Sequence, residues 1–309
     1  MVTEKPPVVV IAGPTASGKS ALALALAERS GGVIINADSA QIYRDLPILS
    51  AAPSADDLRR AEHRLYGIRD GAVPCSAADW AALATAEIDK LHVEGRLPIL
   101  VGGTGLYLRT LLEGIAPVPE IEPDVRAQVR SASVSENLAA LTPLDPVAAA
   151  TLNPGDTTRI ARALEVVKST GRTLSEWQQY KEGGIADGVA VSPLLLLPPR
   201  PWLTDRCDRR FSDMVRSGAI DEVRTLLKRG LDPQLPVMRA IGVPELSALC
   251  DGSLTEEQAI AAGQLATRRY AKRQYTWFAN QPPPDWPRFS DPLDGDAVER
   301  ALALLLMSE

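Results

Sequence analysis

Eight consecutive residues, Gly13-Pro14-Thr15-Ala16-Ser17-Gly18-Lys19-Ser20, have the types and spacing to hold phosphate. They complete the G-x-x-x-x-G-K-[ST] pattern, between an apolar run, Val8 to Ala12, and an Ala/Leu-rich run, Ala21 to Ala27. That context reads as strand, loop, helix. Glycines let the loop wind with its N–H groups inward, the helix N-terminus adds partial positive charge, and Lys19 adds a full one. Ser20 can hold a magnesium ion, Mg2+. Asp38 is the second candidate. It follows the apolar Val33-Ile34-Ile35, and in open α/β sheets ligands bind beyond the carboxyl ends of strands, which places Asp38 near the loop. A turn or helix cap is the structural alternative. Thr104 is the third, in the Gly102-Gly103-Thr104-Gly105 that follows the apolar Leu97 to Val101. A Walker B strand would end in an aspartate to hold magnesium. Two glycines and a hydroxyl suggest instead a substrate approaching the backbone, with Thr104 hydrogen-bonded to it, or simply a helix cap.

The elements that must position these residues alternate in an α/β pattern. Strands are expected at Val8 to Ala12, Val33 to Ile35, Leu97 to Val101 and Val191 to Leu197, the last with Pro193 at its start or on an edge. Helices are expected at Ser20 to Ser30, Ser54 to Tyr66, Ser76 to Glu94 and Leu106 to Glu113. From Pro117 the character changes to helices alone: Asp124 to Ala140, Asp145 to Leu152 and Asp156 to Thr170. Arg159 and Arg162 share a face of the last, and Arg126 starts the first. A helix from Thr204 to Arg216 carries Arg206, Arg209 and Arg210 and resumes as Asp221 to Arg229. A final long helix, Thr255 to Asn280, interleaves basic and aromatic residues from Arg268 to Phe278. Such a stripe suits an RNA backbone with stackable bases, or else buries its aromatics at helical spacing.

The fold class read from this order is α/β: a P-loop NTPase-like parallel sheet flanked by helices, with an all-helical insertion. The domains are residues 1–116 and 188–281 as a discontinuous catalytic core, 117–187 as the helical insertion, and 282–309 as a linker with a short helix from Asp296 to Met307. Composition narrows the function classes. The net charge of −6, from 33 basic and 39 acidic residues, excludes a global basic field, so a nucleic acid must meet a local basic surface. Three scattered cysteines, Cys75, Cys207 and Cys250, form neither a zinc pattern nor a disulfide framework. His63 and His92, the only histidines, read as structural or solvent-facing. No run is long and apolar enough for a signal peptide or a membrane span, so a cytoplasmic protein, monomeric and away from the membrane, is expected.

Six motifs in order resemble those of the tRNA dimethylallyltransferases, or tRNA isopentenyltransferases. They are the phosphate loop, Asn36 to Tyr43, Val101 to Tyr107, Arg159 to Val166, Arg239 to Gly242, and Lys272 to Trp277. Size and the lack of a zinc-finger extension point to the bacterial type. The resemblance implies that a dimethylallyl group moves from dimethylallyl diphosphate to N6 of the adenine 3′ of the anticodon in tRNA, releasing diphosphate. Asp38 is then the base that takes the amine proton, and Thr104 positions the amine or the diphosphate. Lys19, the loop amides, Mg2+ on Ser20 and an arginine, Arg206 in preference to Arg210, stabilise the leaving group. By the same resemblance the anticodon stem-loop is contacted by Asp38, Ser39, Ala40, Gln41, Thr104, Arg126, Thr158, Arg159, Ile160, Ala161 and Arg162. The loop of Arg239, Ala240, Ile241, Gly242, Val243 and Pro244 completes that set. Many relatives have a tyrosine and a basic residue where this chain has Val243-Pro244, which implies the loss of an aromatic and a charge there. Three other readings are a P-loop kinase acting on a small metabolite, a prenyltransferase acting on free adenine nucleotides, and a non-catalytic RNA-binding module.

Overall fold

The computed structural model describes residues 5–306. The chain runs β1 (Pro7–Ala12), α1 (Lys19–Ser30), β2 (Val33–Asn36), α2 (Ala55–Arg60), β3 (His63–Arg64), α3 (Ala77–Val93), β4 (Pro98–Gly102) and α4 (Gly105–Glu113). Five helices follow, α5 (Pro123–Ser131), α6 (Val134–Leu141), α7 (Pro146–Thr151), α8 (Thr157–Thr170) and α9 (Leu174–Trp177). The chain then forms β5 (Ala190–Leu196), α10 (Arg200–Met214), α11 (Ile220–Leu227), α12 (Val243–Cys250), α13 (Glu256–Asn280), β6 (Arg288–Phe289) and α14 (Ala297–Leu306). It divides into two compact units, one taking in everything up to Leu111 and from Ile185 onward, the other Leu112–Gly184.

The larger unit is a six-stranded parallel sheet in the order β3-β2-β4-β1-β5-β6. Alternation along each strand sends side chains to opposite faces. Val8, Val10, Ala12, Val33, Ile35, Leu100 and Leu195 enter one core, where Trp80, Tyr107, Phe211 and Phe278 meet them. Val9, Ile11, Ile34, Ile99, Val101, Leu194 and Leu196 enter the other, with Leu22 and Leu26 of α1 and Leu302 and Leu305 of α14. With both faces covered, the strands read as unbroken apolar runs. The smaller unit has its own core of Val129, Leu141, Ile160, Ala161, Leu164 and Val167.

Three elements depart from the sequence reading. The helix expected over Ser54 to Tyr66 ends at Arg60, because His63 and Arg64 pair with Ile34 and Ile35 and become the sheet's edge strand. Asp124 to Ala140 is two helices, broken where Ser133 caps α6 in a reciprocal box with Glu136. Residues 282–309, read as a linker with a terminal helix, contribute β6, paired with β5 at Leu195 and Leu196, and α14, which packs on α1. The Met307 end of the expected helix lies outside the described residues. Pro193 tolerates its place in β5 because only β1 pairs there, while β6 begins two residues later. No helix of the described residues is long and apolar enough to cross a membrane.

Candidate active site

The sheet delivers the chemical residues at its carboxyl edge. β1 ends in the phosphate loop, β2 in Asn36-Ala37-Asp38, and the neighbouring β4 in Gly102-Gly103-Thr104. Asp38 is held by its surroundings before any ligand is considered. Buried Asn36 accepts from Asp38 N at 2.8 Å and donates Nδ2 to the carbonyls of Asp38 and Leu65, both at 3.0 Å. Asp38 Oδ1 accepts from Ala40 N at 3.0 Å. Thr104 Oγ1 accepts from Ser39 N at 3.0 Å and donates to Ser39 Oγ at 3.2 Å, which ties the 38–41 loop to the end of β4. Gln41 spends its amide on the carbonyls of Ser50 and Ala51.

Lys19 opens α1 and donates Nζ to Pro14 O at 2.7 Å. Burial lowers its pKa to about 8, against the opposing pull of Asp38 and with help from Arg210. Arg210 comes from α10 and reaches Thr15 Oγ1 at 3.4 Å. Burial presses its guanidinium below the ordinary range, while Asp38 and Cys207 act to raise it. Lys19, Arg210 and Asp38 therefore form one charged neighbourhood, two cations about one carboxylate, in a partly desolvated setting where charges interact strongly. Arg206, preferred from the sequence, instead lays its guanidinium over the Trp202 ring at 4.6 Å. Tyr66, Tyr107 and Tyr270 all feel the Asp38 charge, and burial raises each hydroxyl's pKa so that it stays neutral. Thr104 lies close enough to Tyr270 to oppose that rise.

Two cavities meet here. The first, about 440 Å³, lies on the phosphate loop and is lined by Lys19, Ser20, Arg206, Arg209 and Arg210. The second, about 320 Å³, contains Asp38 among Tyr43, Leu49, Tyr107, Phe211 and Tyr270. Arg210 lines both. The first cavity is cationic apart from Asp213; the second is largely apolar, with Asp38 facing Arg210, Arg239 and Arg273 among its polar groups. Among the described residues no cluster of three or more His, Cys, Asp or Glu is placed to hold a metal. Ser20 offers a hydroxyl on the first cavity, and Ser17 Oγ is buried in the loop without a partner. That donor set fits a magnesium ion held chiefly by water and ligand phosphates, as is usual for this cation.

The remaining sequence candidates sort by burial. In the smaller unit Arg126, Thr158 and Arg159 are exposed, and Arg162 is half-buried. Burial lowers the Arg162 pKa, and the like charges of Arg126 and Arg130 add to this while Glu165 opposes it. Ile160 and Ala161 are core residues, so their side chains are withdrawn from any RNA. In the larger unit Arg239, Ala240 and Ile241 line the Asp38 cavity and Pro244 is exposed. Val243 is buried in the core at the start of α12, so the position that lost an aromatic faces inward. The stripe of α13 divides: its aromatics turn inward or are half-buried, while Arg269, Lys272 and Arg273 are exposed. Phe278 is in the core, Trp277 packs edge-on against it at 4.9 Å, and Arg268 is paired with Asp208 at 2.7 Å. Gln274 was not singled out by the sequence reading. It is buried and bonds to both the phosphate loop and Gly103. Its signal was present, a polar residue on the face that carries Ala271 and Phe278.

Comparison with known proteins agrees in fold and order. The sequence model of the IPP transferase family matches residues 41–281. The chain is 60% identical over 291 residues to the tRNA dimethylallyltransferase of Sphingopyxis alaskensis, covering 94% of this chain and 95% of that one. It is 61% identical over 290 residues to that of Erythrobacter litoralis, covering 92% of each. Among solved structures, the tRNA isopentenylpyrophosphate transferase of Bacillus halodurans superposes with a TM-score of 0.69 at 33% identity, over 99% of this chain and 98% of that one. A eukaryotic dimethylallyltransferase acting on tRNA gives a TM-score of 0.76 at 28% identity, over 88% of this chain and 69% of that one. With a P-loop NTPase-like sheet, the six motifs in order and relatives matched over nearly their whole length, the chain belongs to the tRNA dimethylallyltransferase family.

Proposed function

We propose that the protein transfers a dimethylallyl group from dimethylallyl diphosphate to N6 of the adenine 3′ of the anticodon in tRNA. The observation that carries this is the pair of cavities joined at Arg210, one largely cationic and one largely apolar around Asp38. The diphosphate occupies the first, held by loop amides, Lys19 and Arg210, with Arg206 and Arg209 at its wall. The prenyl chain and the adenine occupy the second.

Adenine N6 attacks the allylic carbon as the carbon–oxygen bond to diphosphate breaks and the leaving oxygen takes the electron pair. Asp38, already oriented by Asn36 and Ala40, accepts the proton that N6 sheds. Lys19 and Arg210 stabilise the charge that grows on the leaving oxygen. Magnesium, held through Ser20 and the phosphates, supplies further positive charge there when bound. Arg210 takes the leading role over Arg206, because it alone of the two lines both cavities. Thr104, anchored to Ser39, positions the amine. Arg126, Thr158, Arg159 and Arg162 meet the anticodon stem-loop outside the pocket, whereas Ser39, Ala40 and Arg239 to Ile241, which line it, meet the RNA together with Gln41. The target adenine leaves its stack to enter, which costs less in a single-stranded loop than in a duplex.

The deciding assay gives the protein magnesium and dimethylallyl diphosphate together with unmodified tRNA carrying an adenine 3′ of the anticodon, or with AMP. Prenylated adenine in the tRNA is the expected product. Prenylation of AMP and not of tRNA overturns the proposal.

A further inference from the structure

The phosphate loop and the end of β4 are joined by one side chain from far along the chain. Gln274 of α13 is 6% exposed. Its Oε1 accepts from the backbone N–H of Thr15 at 2.8 Å, and its Nε2 donates to the carbonyl of Gly103 at 2.8 Å. Thr15 belongs to the loop, whereas Gly103 precedes Thr104 and lies beside the Asp38 carboxylate. A Cβ on Gly103 would fall 2.3 Å from Gln274 Nε2 and 3.3 Å from Asp38 Oδ2. The glycine that the sequence reading assigned to substrate approach thus has its open side filled by a protein amide.

We propose that Gln274 is a positioning residue that sets the span between the diphosphate end of the site and the amine end. The inference rests on the reaction assigned above. A neutral amide is the side chain that accepts at one terminal atom and donates at the other. Both of its partners are backbone groups, so it locks two chain segments and not two rotamers. Glutamate at this position would face the Gly103 carbonyl with a second acceptor and add a buried charge beside Asp38. The bracket has a further consequence for the loop. The Thr15 N–H is committed to Gln274 and the Ser17 N–H donates to Pro14 O at 3.3 Å, so the amides left to hold the diphosphate are the others that come after Thr15. Arg210, which donates to Thr15 Oγ1, is then fixed relative to the same loop residue that Gln274 holds.

The test uses the full-length protein with three variants, Gln274→Met, Gly103→Ala and the two combined. Single-turnover prenylation of tRNA is measured with protein in excess and normalised to the cooperatively folded fraction. tRNA affinity is measured separately. Misplacement of reacting groups by a fraction of an ångström to an ångström predicts a loss of roughly 10- to 100-fold in the chemical step for each single variant. Gly103→Ala reaches the same state from the other side, by displacing Nε2, so the double variant is expected to be no slower than the worse single one. tRNA affinity is expected to change less than threefold, by the same additivity margin. Should Gln274→Met not fold, Gly103→Ala together with Gln274→Glu carries the test. Glutamate, but not alanine at 103, is then expected to change the acidic limb of the pH–rate profile, because it alone introduces a new titratable carboxylate into the site. Wild-type rates per folded molecule in the single variants, or fully additive losses in the double, overturn the inference. Failure of the wild-type protein to prenylate any tRNA would instead overturn the reaction itself.

Discussion

Replacing Asp38 by asparagine isolates the charge of this residue from its place in the loop. Asparagine keeps an oxygen for Ala40 N, now at 3.0 Å, and leaves the Asn36 bond to the backbone of residue 38 intact. The loop and the tRNA contacts that depend on it are therefore retained. What disappears is a proton acceptor and one negative charge next to Lys19 and Arg210. Loss of a general base costs roughly 10²- to 10⁴-fold, or about 3–5 kcal/mol of barrier. The second effect has its own direction. Asp38 acts to raise the Lys19 pKa, so its removal takes that pKa below about 8. At pH 6.5 the lysine stays protonated, and removing an anion from a diphosphate site leaves donor affinity unchanged or tighter. The expected signature is a single-turnover rate down at least ~100-fold with donor and tRNA dissociation constants no weaker than wild type. Rapid-quench measurement at pH 6.5 with saturating tRNA reads the rate, and equilibrium titration reads the two affinities. A rate within tenfold of wild type, or a rate loss matched by lost tRNA binding, refutes Asp38 as the base.

Three further outcomes follow from the same structure. Lys19 is lowered to about 8, so in the free protein it loses its proton as pH rises through 8, and diphosphate binding above that pH must take a proton up. Pyrophosphate affinity is expected to weaken by up to ~10-fold per pH unit above 8 relative to a Lys19→Arg variant, whose charge does not titrate there; parallel profiles would contradict this. Arg159→Ala and Arg162→Ala are expected to weaken tRNA binding and each to reduce the salt slope by about 1, read by filter binding across salt concentrations; an unchanged slope would make them solvated surface. Gly263 carries no Cβ where α13 crosses α10, and one there would lie 2.0 Å from Phe211 Cζ. Gly263→Ala is expected to cost about 1–3 kcal/mol by overpacking, measured by denaturant unfolding, and a wild-type midpoint would show that the helices adjust freely.

Particular residues show how far a linear reading reaches. Local chemistry was legible where a motif and its flanks lie within one stretch of chain: the phosphate loop after β1, Asp38 after β2, Thr104 after β4. Each was placed correctly at the carboxyl edge, because strand order in a parallel sheet puts those ends side by side. The break before α6 was also legible, in the Ser133 to Glu136 cap, though periodicity alone ran through it. Other outcomes depended on partners distant in sequence. His63 and Arg64 became a strand only because β2 had an open edge, and the segment after Pro284 joined the sheet only because β5 offered Leu195 and Leu196.

The sequence alone determined the phosphate loop, the parallel α/β core, the carboxylate near the loop and the family, since each is carried by residues close together or by motifs in order. Tertiary structure decided which groups share the site. Arg210 and not Arg206 reaches Thr15, Val243 turns inward, and the α13 aromatics pack while Gln274, 259 positions from Thr15, braces the loop. The physical reason is that a helix pattern reports which residues share a face, and only the packed neighbour decides whether that face meets a core, a carbonyl or a ligand.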